Sequence, residues 1–85
     1  MFAPWIIVIV VSIQFLNGST RDIRIESVRQ YVVYEQCTQR MQSEGELTVA
    51  KLNVIKDSLF KDSTGITMKN VGCKKKDLRY REARK

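Results

Sequence analysis

The two cysteines, Cys37 and Cys73, carry the most distinctive chemistry in this chain, and they stand 36 positions apart. With no neighbouring Cys or His, such a pair matches neither a zinc site, whose ligands come in closely spaced pairs, nor a C-x-x-C redox centre. In an oxidising compartment the two could persist as a disulfide, and bridging them would close a loop worth about 4 kcal/mol in the chain-entropy model. Other chemistry is scarce. The chain has no histidine, which removes the usual general base, the imidazole metal ligand and any Ser-His-Asp or Cys-His arrangement. Gly18, Gly45, Gly65 and Gly72 are isolated, so no phosphate-cradling loop is present. Glu44 and Glu46 fall in a polar stretch and read as solvated charges. The sequence therefore predicts no enzyme, no metal and no cofactor. Tyr31, Tyr34, Leu52, Ile55, Leu59 and Phe60 are the candidates for lining a pocket for an apolar ligand, although residues at that spacing also make an ordinary core.

The elements that would position these residues begin with an apolar run. Pro4 to Leu16 spans 13 residues without a charge, and the small residues Gly18 and Ser19 follow. Residues 1–19 read as a secretory signal peptide with cleavage after Gly18 or Ser19; the run is short of the roughly 20 apolar residues a membrane-spanning helix needs. Asn17-Gly18-Ser19 has the form of a glycosylation sequon but sits at the cleavage point. Cleavage after Ser19 would leave 66 residues, one small domain that gains much from a staple.

Charge is unevenly placed. The whole chain carries a formal +6, yet Ser19 to Met68 is balanced, with seven basic and seven acidic side chains. From Lys69 onward eight basic residues face only Asp77 and Glu82. Residues 74–85 read as a basic, solvated tail, able to meet an anionic membrane surface or an acidic partner; export argues against nucleic acid.

Residues 20–73 read as an all-α domain of two to three amphipathic helices. From Thr20 to Gln42 there is no Gly or Pro; Ile25, Val28 and Val32 share one arc of a helix, while Val33, Cys37 and Met41 share the next. The alternation in Asp22-Ile23-Arg24-Ile25 suggests a strand but is short. Gly45 reads as a helix stop and Thr48 as the cap of a second helix, whose stripe is Val49, Leu52, Ile55 and Leu59. Residues 61–65 read as a turn, after which Ile66, Met68 and Val71 supply a short third element returning toward the first.

The order of these parts resembles the insect odorant-binding (pheromone and general odorant-binding) proteins. The stretch that carries the resemblance is CTQRMQSEGELTVAKLNVIKDSLFKDSTGITMKNVGC, residues 37–73, with Leu47-Thr48, the stripe Leu52, Ile55, Leu59 and Phe60-Lys61-Asp62 in familiar places. The resemblance implies a partial version of a compact six-helix fold, secreted, carrying small hydrophobic odorants or pheromones, with no enzyme activity, no nucleic-acid partner and no stable membrane insertion once the signal is removed. In that family a third cysteine follows the second by four residues, where this chain has Asp77. The family pattern pairs the first cysteine with the third and the second with the fifth. It thus implies that Cys37 and Cys73 both lack partners and that the chain is truncated. The alternative is a small secreted cationic effector, toxin or antimicrobial peptide stapled by a Cys37–Cys73 bridge and acting on membranes; an internal disulfide, together with loss of activity on deleting residues 74–85, would favour it.

Overall fold

The computed structural model describes residues 4–76, and the basic positions 77–85 of the sequence lie outside the described residues. Its fold is a three-stranded antiparallel sheet with one long helix on one face, mostly β rather than all-α. The order along the chain is β1 (Trp5–Phe15), β2 (Thr20–Tyr31), α1 (Tyr34–Leu59) and β3 (Ser63–Lys75). In space the order is β2-β1-β3.

The apolar run supplies the centre. β1 is flanked by a strand on each side, and its side chains alternate between a buried face under α1 and a half-buried face without a covering helix. Ile7, Ile9, Val11 and Ile13 alternate onto the face covered by α1 and are at most 2% exposed. With Tyr31, Cys37 and Ile66 they form the core. Cleavage after Gly18 or Ser19 would take away this strand, leaving β2 and β3 with no ladder between them.

The segment expected to open the first helix is strand β2. Opposite Ile9, Val11 and Ser12 stand Ile25, Ile23 and Asp22, so the short alternation at 22–25 sets the register. A helical reading of Ile25, Val28 and Val32 fails on burial: Val28 is 97% exposed and Val32 64%. The turn between β1 and β2 is built by Asn17-Gly18, a pair favoured where a hairpin needs positive φ. Gly18 has φ 87°, its N–H donates to the Phe15 carbonyl, and Asn17 Oδ1 accepts from the Ser19 N–H.

Gly45 does not stop a helix. It lies buried in the middle of α1, which runs unbroken through the expected linker and the expected second N-cap, Thr48. A Cβ at position 45 would come within 2.6 Å of the Met68 thioether and 3.4 Å of Val71. The glycine is there to let helix and β3 approach. The buried stripe of α1 starts with Cys37 and Gly45, joined by the half-buried Met41, Val49 and Leu52, which extends the second of the two expected arcs. After the turn at 60–62, where Asp62 takes φ 66°, β3 returns antiparallel to β1 as a strand.

Asn53 ties α1 to β3. Its side-chain amide donates to the Ile66 carbonyl at 2.9 Å while its oxygen accepts the Ile66 N–H at 3.0 Å, so it serves Ile66 as a neighbouring strand would. Asn53→Ala leaves both groups without that partner and should cost about 1–3 kcal/mol. The urea midpoint would then fall at unchanged slope, and an unshifted midpoint would refute this role for Asn53.

Candidate functional site

The six residues proposed as pocket lining do not come together. Tyr31 is in the core, Tyr34 opens α1 and Leu59 closes it, about 37 Å away along a helix rising 1.5 Å per residue. Leu52 and Phe60 lean on the core, while Ile55 and Leu59 are 47% and 51% exposed. Only Tyr31 lines the groove of about 410 Å³ between β2 and α1, whose floor is Ile9 and Ile25 and whose rim carries Glu26 and Glu44. A second hollow of about 430 Å³ lies where the two turns meet, between Leu16, Asn17 and Lys61, Asp62. Both are open to solvent, whereas small apolar ligands are bound by sites that bury most of their surface.

Cys37 and Cys73 are bonded to each other, with Cα atoms 6.2 Å apart, which overturns the implication that each lacks its partner. Cys37 lies in the first turn of α1 and Cys73 pairs with Ile7 near the end of β3. The bridge is fully buried at Cys37. It holds the start of the helix against the place where β3 runs into Lys74, Lys75 and Lys76.

At that end of the sheet one surface combines aromatic, aliphatic and cationic groups. Trp5 at the start of β1 is flanked in register by Tyr31 and by Lys75. Its ring meets that of Tyr34 edge-on, centroids 4.7 Å apart and planes inclined by 64°. The Lys75 ammonium sits 5.8 Å from the Trp5 centroid, within cation–π range. The Lys76 N–H donates to the Pro4 carbonyl, extending the ladder by one bond and holding a third lysine in place. Between β2 and α1, Val32, Val33 and Tyr34 are 64%, 44% and 50% exposed. Exposed β-branched residues in a two-residue joint bring little to the core, and α1 starts there without a side-chain cap. Lys74 and Lys75, expected in a detached tail, belong to β3.

The sequence reads Tyr34 as a candidate for pocket lining and Lys74–Lys76 as part of a solvated tail, and it places Trp5 among the residues read as a signal peptide. A signal was available. From Val11 onward the run alternates, with Ser12 and Gln14 between Val11, Ile13 and Phe15, and Asn-Gly follows before a second alternating segment, the pattern of a hairpin. Among the described residues no group of three or more His, Cys, Asp and Glu side chains could hold a metal ion, and no helix is long and apolar enough to cross a membrane. No protein-family model, curated protein or solved structure matches the chain.

Proposed function

We propose that this chain is a small cationic effector, stapled by its disulfide and acting outside the reducing cytoplasm, that docks on anionic membrane surfaces by the corner of Trp5, Val32, Val33, Tyr34 and Lys74–Lys76. The observation that carries this reading is the Trp5–Tyr34 pair with the Lys75 ammonium beside it, next to the exposed Val32 and Val33 and at the end of the sheet where Lys74 and Lys76 also lie. Tryptophan and tyrosine suit a boundary that is apolar on one side and wet on the other. Lysines bury their stems while leaving the ammonium among headgroups. Each contributes about 1 kcal/mol near an anionic surface. The disulfide supports the extracytoplasmic half of the reading, since such bonds persist in oxidising compartments. On this reading export keeps residues 5–15 within the folded protein, and no catalysis is assigned. Carriage of a small hydrophobic ligand has no comparable support, because its six candidate residues are spread along the molecule and the groove is open.

Sedimentation with vesicles tests the proposal. The oxidised full chain should bind vesicles containing phosphatidylglycerol and not pure phosphatidylcholine, less strongly in high salt, with a blue shift of Trp5 emission. Replacing Lys74, Lys75 and Lys76 by Gln should weaken binding about 100-fold, the sum of three such contributions. Val32→Ser with Tyr34→Ser should reduce the blue shift. Equal binding to neutral vesicles, or a triple Gln variant that binds like the parent, would sink the reading.

A further inference from the structure

Among the described residues neither outer strand of this sheet has a partner strand on its outer side, and the two edges are treated differently, β3 having its Ile66 backbone groups bonded by Asn53. β3 is blunted: its ladder to β1 shifts register between Val10 and Val11, where Lys69 is the extra residue, and its far end is Lys74-Lys75. Bulges and lysines are the usual protection of an edge against further pairing. β2 has neither bulge nor lysine over Thr20–Glu26, where its ladder to β1 is regular, the irregularity beginning only beyond Glu26, and its edge charges are of both signs, so they can be matched by a second copy. That segment is exposed at Thr20, Arg21, Asp22, Arg24 and Glu26 and half-buried at Ile23 and Ile25. Helix α1 lies mainly over β3 and β1 and leaves this edge uncovered.

We infer that the Thr20–Glu26 edge pairs antiparallel with the same edge of a second copy, about a two-fold axis at Ile23, giving one continuous six-stranded sheet. The charge pattern selects this partner and this register. With Ile23 opposite the partner's Ile23, Asp22 faces the partner's Arg24 and Arg24 faces the partner's Asp22, two opposite-charge pairs made by one symmetry operation. Thr20 then faces the partner's Glu26 and Arg21 the partner's Ile25, so no like charges meet. Centring instead on residue 24 sets Arg24 against the partner's Arg24 and Asp22 against the partner's Glu26. Centring on Ile25 brings Arg21 opposite the partner's Arg29 and draws in the irregular segment after Glu26. Asp22 is already bonded to Lys69 on the uncovered face of the sheet, and Arg24 to Glu26 at 3.3 Å, so the pairing joins these two exposed ion pairs into a network across the axis. On the helix-bearing face Ile23 meets its own counterpart, and the grooves beside β2 of the two copies run together.

Sedimentation velocity on the oxidised full chain across micromolar concentrations, with a charge exchange, tests this pairing. The parent chain should associate to a dimer. Arg24→Asp and Asp22→Arg should each weaken it about tenfold or more, since both pairs become like-charged, with far-UV circular dichroism unchanged. An equimolar mixture of the two variants should recover the dimer, because the two aspartates that one variant carries at positions 22 and 24 then face the two arginines of the other. Independently of any variant, amide exchange within 20–26 should slow as the parent is concentrated. A parent that stays monomeric, variants that dimerise like it, or a mixture that fails to associate would each overturn the inference.

Discussion

A chain lacking residues 1–19 should not fold. Four of the most deeply buried side chains, Ile7, Ile9, Val11 and Ile13, leave with the strand, and each is worth about 1.5–3 kcal/mol of burial. Their loss, roughly 6–12 kcal/mol, equals much or all of the about 5–15 kcal/mol by which natural domains are stable. Both ladders of the sheet go as well, because β2 and β3 each pair with β1 and not with each other. Residues 20–85 should therefore show a disordered far-UV spectrum and collapsed amide dispersion where the full chain shows strand and helix. A dispersed, strand-containing spectrum from the shortened chain would overturn the central role of β1. The N-terminus of the natural product, read from its intact mass, bears on the same point: one at Ser19 or Thr20 would belong to a molecule without this sheet.

Replacing both cysteines, Cys37→Ala with Cys73→Ala, lowers the melting temperature by roughly 15–30 °C. The bridge closes a separation of 36 residues, worth about 4 kcal/mol in the chain-entropy model, and a domain of this size loses about 4–8 °C per kcal/mol. Alanine is the informative replacement because Cys37 is fully buried and a serine hydroxyl there would add a desolvation cost. The effect should also reach the surface: the first turn of α1 would no longer be pinned beside Lys74 and Lys75, and the Trp5–Tyr34 contact would loosen. Calorimetry of the oxidised chain, the reduced chain and the double variant checks this. Reduced and double-variant samples should melt together; a melting point that hardly moves on reduction would show that the bridge is not a staple. Intact mass with and without reductant gives the disulfide state directly.

Particular residues show why part of the fold is legible in the sequence and part is not. The stripe Val33, Cys37 and Met41 reads as helical and does belong to α1, apart from its capping first member, because helical spacing is satisfied within a few residues of chain. Residues 20–31 mislead because Ile25, Val28 and Val32 also satisfy that spacing, and what makes Ile23 and Ile25 inward-facing is a partner strand at Ile9 and Val11. Gly45 reads as a stop because glycine disfavours helices by about 1 kcal/mol against alanine; its use is the close approach of Met68 and Val71, which local sequence does not contain. For the candidate site, the lysines and Tyr34 are visible, while Trp5 is hidden by a run that serves equally well as a leader or as a central strand.

What the sequence by itself determined are the properties carried by neighbouring residues. These include the apolar run, the break near residues 61–65, the imbalance of charge after Lys69 and a cysteine spacing compatible with one bridge. Tertiary structure alone decided that the run is the centre of a sheet, that β3 returns to lay Cys73 against the first turn of α1, and that Trp5 meets Lys75 and Tyr34. The physical reason is that a strand draws its hydrogen bonds from another segment. Whether an apolar run becomes a strand is settled by the partners that close on either side, not by the residues themselves.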